Sequence, residues 1–162
     1  MTDVFSILMD DHRRVERLFS QYESGSDPAV ALQICDALTV HALVEEEAVY
    51  PVMAAKAGAQ GQVMEARHEH DEAKLLCAQI DTGAMNGEDV ADLVRQLKEA
   101  VQHHVEEEEN ELFPKLKKQV PKLVEKMGDD VLARKQALDE EMRDARSLNM
   151  PSRVVPARPP TG

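Results

Sequence analysis

The sequence predicts an all-α fold: an up-down-up-down four-helix bundle with an additional C-terminal helix and a mobile tail. Three observations lead there. Charged residues make up 31% of the 162 and aromatics only 3%, with no Trp, a composition that favours helix over sheet. Apolar residues recur at steps of three and four along four separate stretches. The chain also repeats itself: His41-Ala-Leu-Val-Glu45-Glu46-Glu47-Ala-Val-Tyr50-Pro51 aligns without a gap on His104-Val-Glu-Glu-Glu108-Glu109-Asn110-Glu-Leu-Phe113-Pro114, 63 residues later. Asp11-His12 lines up with Glu69-His70 in the same way, so the protein reads as two equivalent helical hairpins.

The first helix is expected over about 2–22, with Thr2 or Asp3 as N-cap, ended by the Ser-Gly-Ser-Asp-Pro turn at 24–28. The second begins at Pro28 behind the N-cap Asp27 and runs to about 56, with a kink at Pro51. The third spans about 62–80, followed by a loop over 81–87 rich in turn formers. The fourth covers about 88–118 and is kinked at Pro114. The fifth runs over about 121–148 with a break near Gly128-Asp129, and four prolines after Asn149 make a flexible Pro/Arg tail. The domain boundaries are accordingly 1–118 for the bundle, 119–148 for the C-terminal extension and 149–162 for the tail.

A formal charge of -12 opposes nucleic acid and anionic membrane surfaces. No uninterrupted apolar run approaches eighteen residues, so no membrane span is expected. The N-terminus has no basic segment or apolar signal core, and Cys35 and Cys77 lack CxxC spacing. Together these lead to the expectation of a cytoplasmic protein with both thiols reduced.

The chemistry lies where the apolar stripes are interrupted. The core series are Val4, Leu8, His12, Val15, Phe19, Tyr22; Ile34, Leu38, His41, Glu45, Ala48, Val52; Val63, Ala66, His70, Ala73, Cys77, Ile80; and Val90, Leu93, Leu97, Val101, His104, Glu108, Leu112. Every stripe carries a His in a core slot, and two carry a Glu one turn later, on the same face. A lone buried carboxylate costs several kcal/mol, and two facing each other repel, so a cation is expected between them. Four imidazoles and two carboxylates make a mixed N/O donor set that suits iron, manganese or zinc better than Mg²⁺ or Ca²⁺. The expected metal residues are His12, His41, Glu45, His70, His104 and Glu108. His68 points about 200° away from His70, and His103 about 100° from His104, so both are expected in solvent. Glu46, Glu47, Glu106, Glu107 and Glu109 are read as a largely solvated acidic face, with Glu46 and Glu109 open to inward rotation at the proline kinks and Glu69 a further ligand candidate.

In this order and spacing, His12, His41-x-x-x-Glu45, Glu69-His70 and His104-x-x-x-Glu108, with Tyr50-Pro51 and Phe113-Pro114 following, resemble the hemerythrin-like, or HHE cation-binding, domain over about 1–118. The resemblance implies a non-haem centre of two iron ions, carboxylate-bridged and oxo- or hydroxo-bridged. By it Glu45 and Glu108 bridge, His12 and His41 serve one iron, and His70 and His104 serve the other. Oxygen-carrying hemerythrins place a His-x-x-x-His pair on the third helix, whereas Ala66 and Lys74 flank His70 here; they also use an Asp five residues after the last His, where this chain has Glu108 after four. With one imidazole missing, the resemblance implies an open position and reaction with dioxygen, peroxide or nitric oxide rather than oxygen storage. The roles that follow are sensing, oxidative-stress defence with a weak catalase-like activity, or iron homeostasis. Two other readings are a regulatory module whose metal site is mainly structural, with a protein partner on the C-terminal extension, and a structural zinc or manganese bundle.

Overall fold

The computed structural model describes residues 3–56 and 58–148, and among these there is helix but no strand. The helices are α1 (Val4–Gly25), α2 (Pro28–Val44), α3 (Tyr50–Lys56), α4 (Gln60–Met85), α5 (Ala91–Glu107), α6 (Phe113–Gln119) and α7 (Pro121–Ser147). Two π-helical turns, Glu45–Val49 and Glu108–Leu112, join α2 to α3 and α5 to α6 without a break. The long elements are thus α1, α2–α3, α4, α5–α6 and α7. The first four pack as a helical bundle, and α7 lies against α1 and α2.

Local chemistry explains the ends. Asp3 caps α1 by accepting from the Ser6 N–H at 2.9 Å, and Thr2 lies outside the described residues. Asp27 caps α2 by accepting from the Ala29 N–H at 2.9 Å, with Pro28 in the first turn. Helix α1 runs through the expected turn as far as Gly25 and stops at Ser26, in the left-handed region at φ 51°. Helix α4 likewise consumes most of the expected 81–87 loop. Asp81 is half of an ion pair with Arg146 of α7 at 2.5 Å, and Gly83 lets the chain pass so close to Val90 that a Cβ there would stand 2.9 Å from Val90 Cγ1. Tertiary contact therefore overrides the turn-forming composition.

A π turn precedes each of the two prolines. A proline lacks the N–H of a helical hydrogen bond and clashes with the carbonyl four residues back. The widened turn before Pro51 and before Pro114 accommodates both, with the N–H of Tyr50 donating to the Glu45 carbonyl and that of Phe113 to the Glu108 carbonyl. The expected break at Gly128-Asp129 is absent: α7 passes through a buried Gly128, because Val124, Val131, Leu138 and Met142 bury the helix on the bundle. The expected mobile tail at 149–162 lies outside the described residues.

Two apolar clusters fill the bundle. One joins Phe5, Leu8, Tyr50, Met53, Phe113 and Leu116 to α7; the other gathers Phe19, Ile34, Cys35, Cys77, Ile80 and Leu97. The polar residues of the next section lie between them. Within Pro28–Lys56 an 18-residue window has a mean hydropathy of 1.2, apolar enough by length and composition alone to cross a membrane, although no uninterrupted apolar run of that length exists. Much of that window, 61%, is buried within the bundle, as in a core helix.

Candidate metal centre

The six expected residues meet in the core. His12 comes from α1, His41 from α2, His70 from α4 and His104 from α5, while Glu45 and Glu108 open the two π turns. All six are buried, and both glutamates have 0% exposure. Their atoms form two groups, His12–His41–Glu108 and Glu45–His70–His104. Within the pairs the Nε2 atoms stand 3.2 Å apart for His12 and His41 and 3.1 Å apart for His70 and His104.

Each carboxylate also reaches the other group. Glu45 Oε1 lies 2.9 Å from His41 Nε2 and 3.3 Å from His70 Nε2. Glu108 Oε1 lies 3.1 Å from His104 Nε2 and 3.3 Å from His12 Nε2. These contacts are close but are not hydrogen bonds: both Glu45 oxygens and Glu108 Oε1 are buried without a hydrogen-bond partner. Leaving buried carboxylate oxygens unsatisfied costs about 1–3 kcal/mol each or more. Donors about 2.1 Å from a shared ion stand about 3 Å apart, which is the spacing seen here. The donor set therefore fits a cation.

The far side of two imidazoles is held by an acid, and an acid also stands near the other two, whose Nδ1 atoms are buried without a hydrogen-bond partner. Asp11 Oδ2 is 3.2 Å from His41 Nδ1, and Glu69 Oε1 is 3.0 Å from His104 Nδ1. Glu109 Oε2 and Glu46 Oε1 each lie 3.6 Å from an Nδ1, that of His12 and that of His70 respectively. Asp11 and Glu69 are equivalent in the repeat, as are Glu46 and Glu109. Glu46, Glu69 and Glu109 thus stand on the Nδ1 side, away from the Nε2 atoms that converge. Glu46 and Glu109, left open to inward rotation by the sequence, are partly enclosed here. Lys74 holds Glu46 at 3.0 Å and Arg13 holds Glu109 at 2.5 Å. His68 and His103 are exposed, as expected, each pairing with a glutamate on its own helix.

Tyr50 is the residue that periodicity missed. Its hydroxyl donates to Glu108 Oε2 at 2.9 Å and lies 3.1 Å from His70 Nε2 and 3.4 Å from His104 Nε2. Its counterpart in the repeat is Phe113, which stacks on Phe5 and His12 instead. The two halves are alike in donors but differ by one hydroxyl.

Without a metal the groups neutralise one another. Burial disfavours a charged His41, but Glu45 and Asp11 outweigh it and push its pKa up to about 10. Burial opposes His104 in the same way, and Glu108, Glu45 and Glu69 push it up to about 12. Burial would raise Glu45, yet His41 and its other neighbours hold it well below the carboxylate range. Burial, then the charges of Glu45 and Glu108, push the Tyr50 phenol up, so it stays a donor. A cavity of about 40 Å³ opens onto all four histidines, with Leu38, Ala73 and Val101 among its apolar walls. Water occupies about 30 Å³ in the liquid, so the space suits a water-sized or diatomic guest.

Comparison with known proteins bears on this arrangement. The family described as the hemerythrin HHE cation-binding domain matches residues 3–116. The chain belongs to that hemerythrin family. A relative from Nostoc sp., named a DNA nickase, is 34% identical over 115 residues, covering 68% of this chain and 32% of that protein. An uncharacterised hemerythrin-like protein from Schizosaccharomyces pombe is 28% identical over 124 residues, covering 73% of this chain and 61% of that protein. The chain thus spans less than two thirds of either relative. No solved structure matches.

Proposed function

We propose that this hemerythrin-like chain binds two non-haem irons side by side and reacts with a small ligand: dioxygen, peroxide or nitric oxide. The observation that carries the reading is the pair of three-residue groups whose carboxylates each reach the histidines of both. His12, His41 and Glu108 would hold one ion, and His70, His104 and Glu45 the other, with both glutamates shared. Bound iron would supply electron exchange and an open position for a ligand. The chain supplies the rest. Asp11 and Glu69 orient the imidazoles, Tyr50 anchors Glu108, and the apolar cavity restricts access to a small guest. The short connections between helices support the up-down-up-down order that faces the two halves.

A cytoplasmic setting accords with the free, buried Cys35 and Cys77. The chain's charge of -12 opposes a polyanion, so DNA cleavage is left to the much longer Nostoc relative. The interaction-module reading loses part of its surface, because α7 spends its apolar face on the bundle.

The test is anaerobic reconstitution of the metal-free protein with Fe(II), with iron analysis and visible spectra after dioxygen, peroxide and nitric oxide in turn. About two irons per chain and a ligand-dependent spectrum are expected. Uptake of zinc or manganese in preference to iron, or spectra indifferent to all three ligands, would overturn the proposal. Peroxide consumption in the same samples measures the catalase-like activity directly.

A further inference from the structure

Helix α7 lies outside the matched family residues, yet one of its side chains reaches the metal centre at one remove. Lys135 Nζ stands 3.0 Å from Asp11 Oδ1, and the other oxygen of Asp11 stands 3.2 Å from His41 Nδ1. His41 Nε2 in turn faces Glu45 at 2.9 Å. Lys135 is largely enclosed, with 17% of its side chain exposed, and its second partner is Asp139 at 3.5 Å on its own helix. The equivalent carboxylate in the other half is Glu69, which holds His104. Among the described residues no Lys or Arg pairs with Glu69; its second neighbour is the exposed His103 at 3.5 Å. The repeat builds two equal carboxylate–histidine pairs, and α7 adds a fixed positive charge to one of them.

That charge has a direction. A cation on Asp11 draws electron density from the carboxylate, so Asp11 pulls less on the Nδ1–H of His41 and the Nε2 lone pair becomes a weaker donor. The same cation repels a metal ion nearby, and a mostly buried pair is little screened. Both effects act on the ion served by His12 and His41, and neither reaches the ion served by His70 and His104 in equal measure. We infer that Lys135 is a positioning residue for the metal centre, acting through Asp11 on His41, so that the C-terminal helix sets the two metal positions apart in affinity. The inference rests on the metal-centre reading above, though not on the metal being iron.

Cobalt(II) titration of the metal-free full chain tests it, with folding checked by circular dichroism. Lys135→Met keeps the aliphatic stem and removes the charge, and one of the two cobalt ions is expected to bind about tenfold more tightly. Asp11→Asn removes the acceptor's charge, and the same ion is expected to bind about tenfold more weakly. Lys135→Arg should stay near the wild type. Leu138→Ala removes apolar packing while every charge of α7 stays in place, and should leave both affinities within about twofold. Unchanged or weaker binding in Lys135→Met, or the same change in Leu138→Ala, would overturn the role. A wild-type chain that takes cobalt but no iron overturns the two-iron proposal alone; one that takes neither overturns both.

Discussion

The Nδ1 atoms of His12 and His70 are buried without a hydrogen-bond partner, whereas His41 and His104 are constrained at both ring nitrogens, Nε2 toward the shared carboxylates and Nδ1 toward an acid on a different helix. That double hold fixes ring orientation before any ion arrives. Tyr50 does the same for Glu108, giving one of its oxygens the only hydrogen bond that either buried glutamate accepts with proper geometry among the described residues. Tyr50→Phe keeps the ring and deletes that donor. A hydrogen bond to a charged group contributes about 1.5–3 kcal/mol, so the metal-free variant should unfold more easily by about that amount in urea. A loss below about 0.5 kcal/mol would show that the hydroxyl contributes little to holding Glu108. At this scale the sequence was informative about the six buried residues, because each interrupts an apolar stripe. Periodicity was silent about a role for Tyr50 at the centre, since position 50 falls off the three-and-four series that continues from Glu45 through Ala48 to Val52.

The reason lies in the elements. A π turn places one more residue in the turn than an α-helix does, so the buried face slips by one position beyond it. After Glu45 the buried residues are Val49, Tyr50 and Met53, and after Glu108 they are Leu112, Phe113 and Leu116. A prediction based on 3.6 residues per turn follows each stripe up to the glutamate and loses it there. The prolines at 51 and 114 were the visible trace of these turns, although as punctuation they suggested kinks. Helix α7 was legible as a helix but not as part of the core, because its apolar positions are sparse and its partners lie more than a hundred residues away in places, as with Arg146 and Asp36. Its weight in the fold is measurable. Leu138 is fully buried in the apolar cluster that α7 joins against α1 and α2, so Leu138→Ala should cost about 2–5 kcal/mol in a denaturant titration. A cost under about 1 kcal/mol would mean that α7 rests on the bundle rather than in it.

At the scale of the whole molecule, the centre is, among the described residues, the place where α1, α2, α4 and α5 all contribute ionisable groups, so its occupancy and its protonation are alternative ways of joining the halves. In the metal-free chain His41, with a pKa near 10, and His104, near 12, carry protons that neutralise Glu45 and Glu108. Both values lie above the ordinary 6.5, so this stabilisation is complete below about pH 6.5 and drains away as pH rises toward the folded values. Metal binding has the opposite dependence. An imidazole must shed its Nε2 proton to become a ligand, so affinity climbs over the same interval. Saturating metal at about a thousand times Kd adds about 4 kcal/mol, which for a chain of this size raises Tm by about 8–16 °C. Melting the loaded and chelator-treated protein in parallel from pH 7 to pH 9 should therefore show two curves that diverge, the metal-free Tm falling while the increment due to metal grows. The dependence belongs to the pair of states and not to either alone: protons and metal compete for the same four-helix junction, and raising the pH removes one competitor. Parallel curves, or an increment that shrinks with pH, would mean that the imidazoles are already neutral in the metal-free chain and that the buried carboxylates are balanced in some other way.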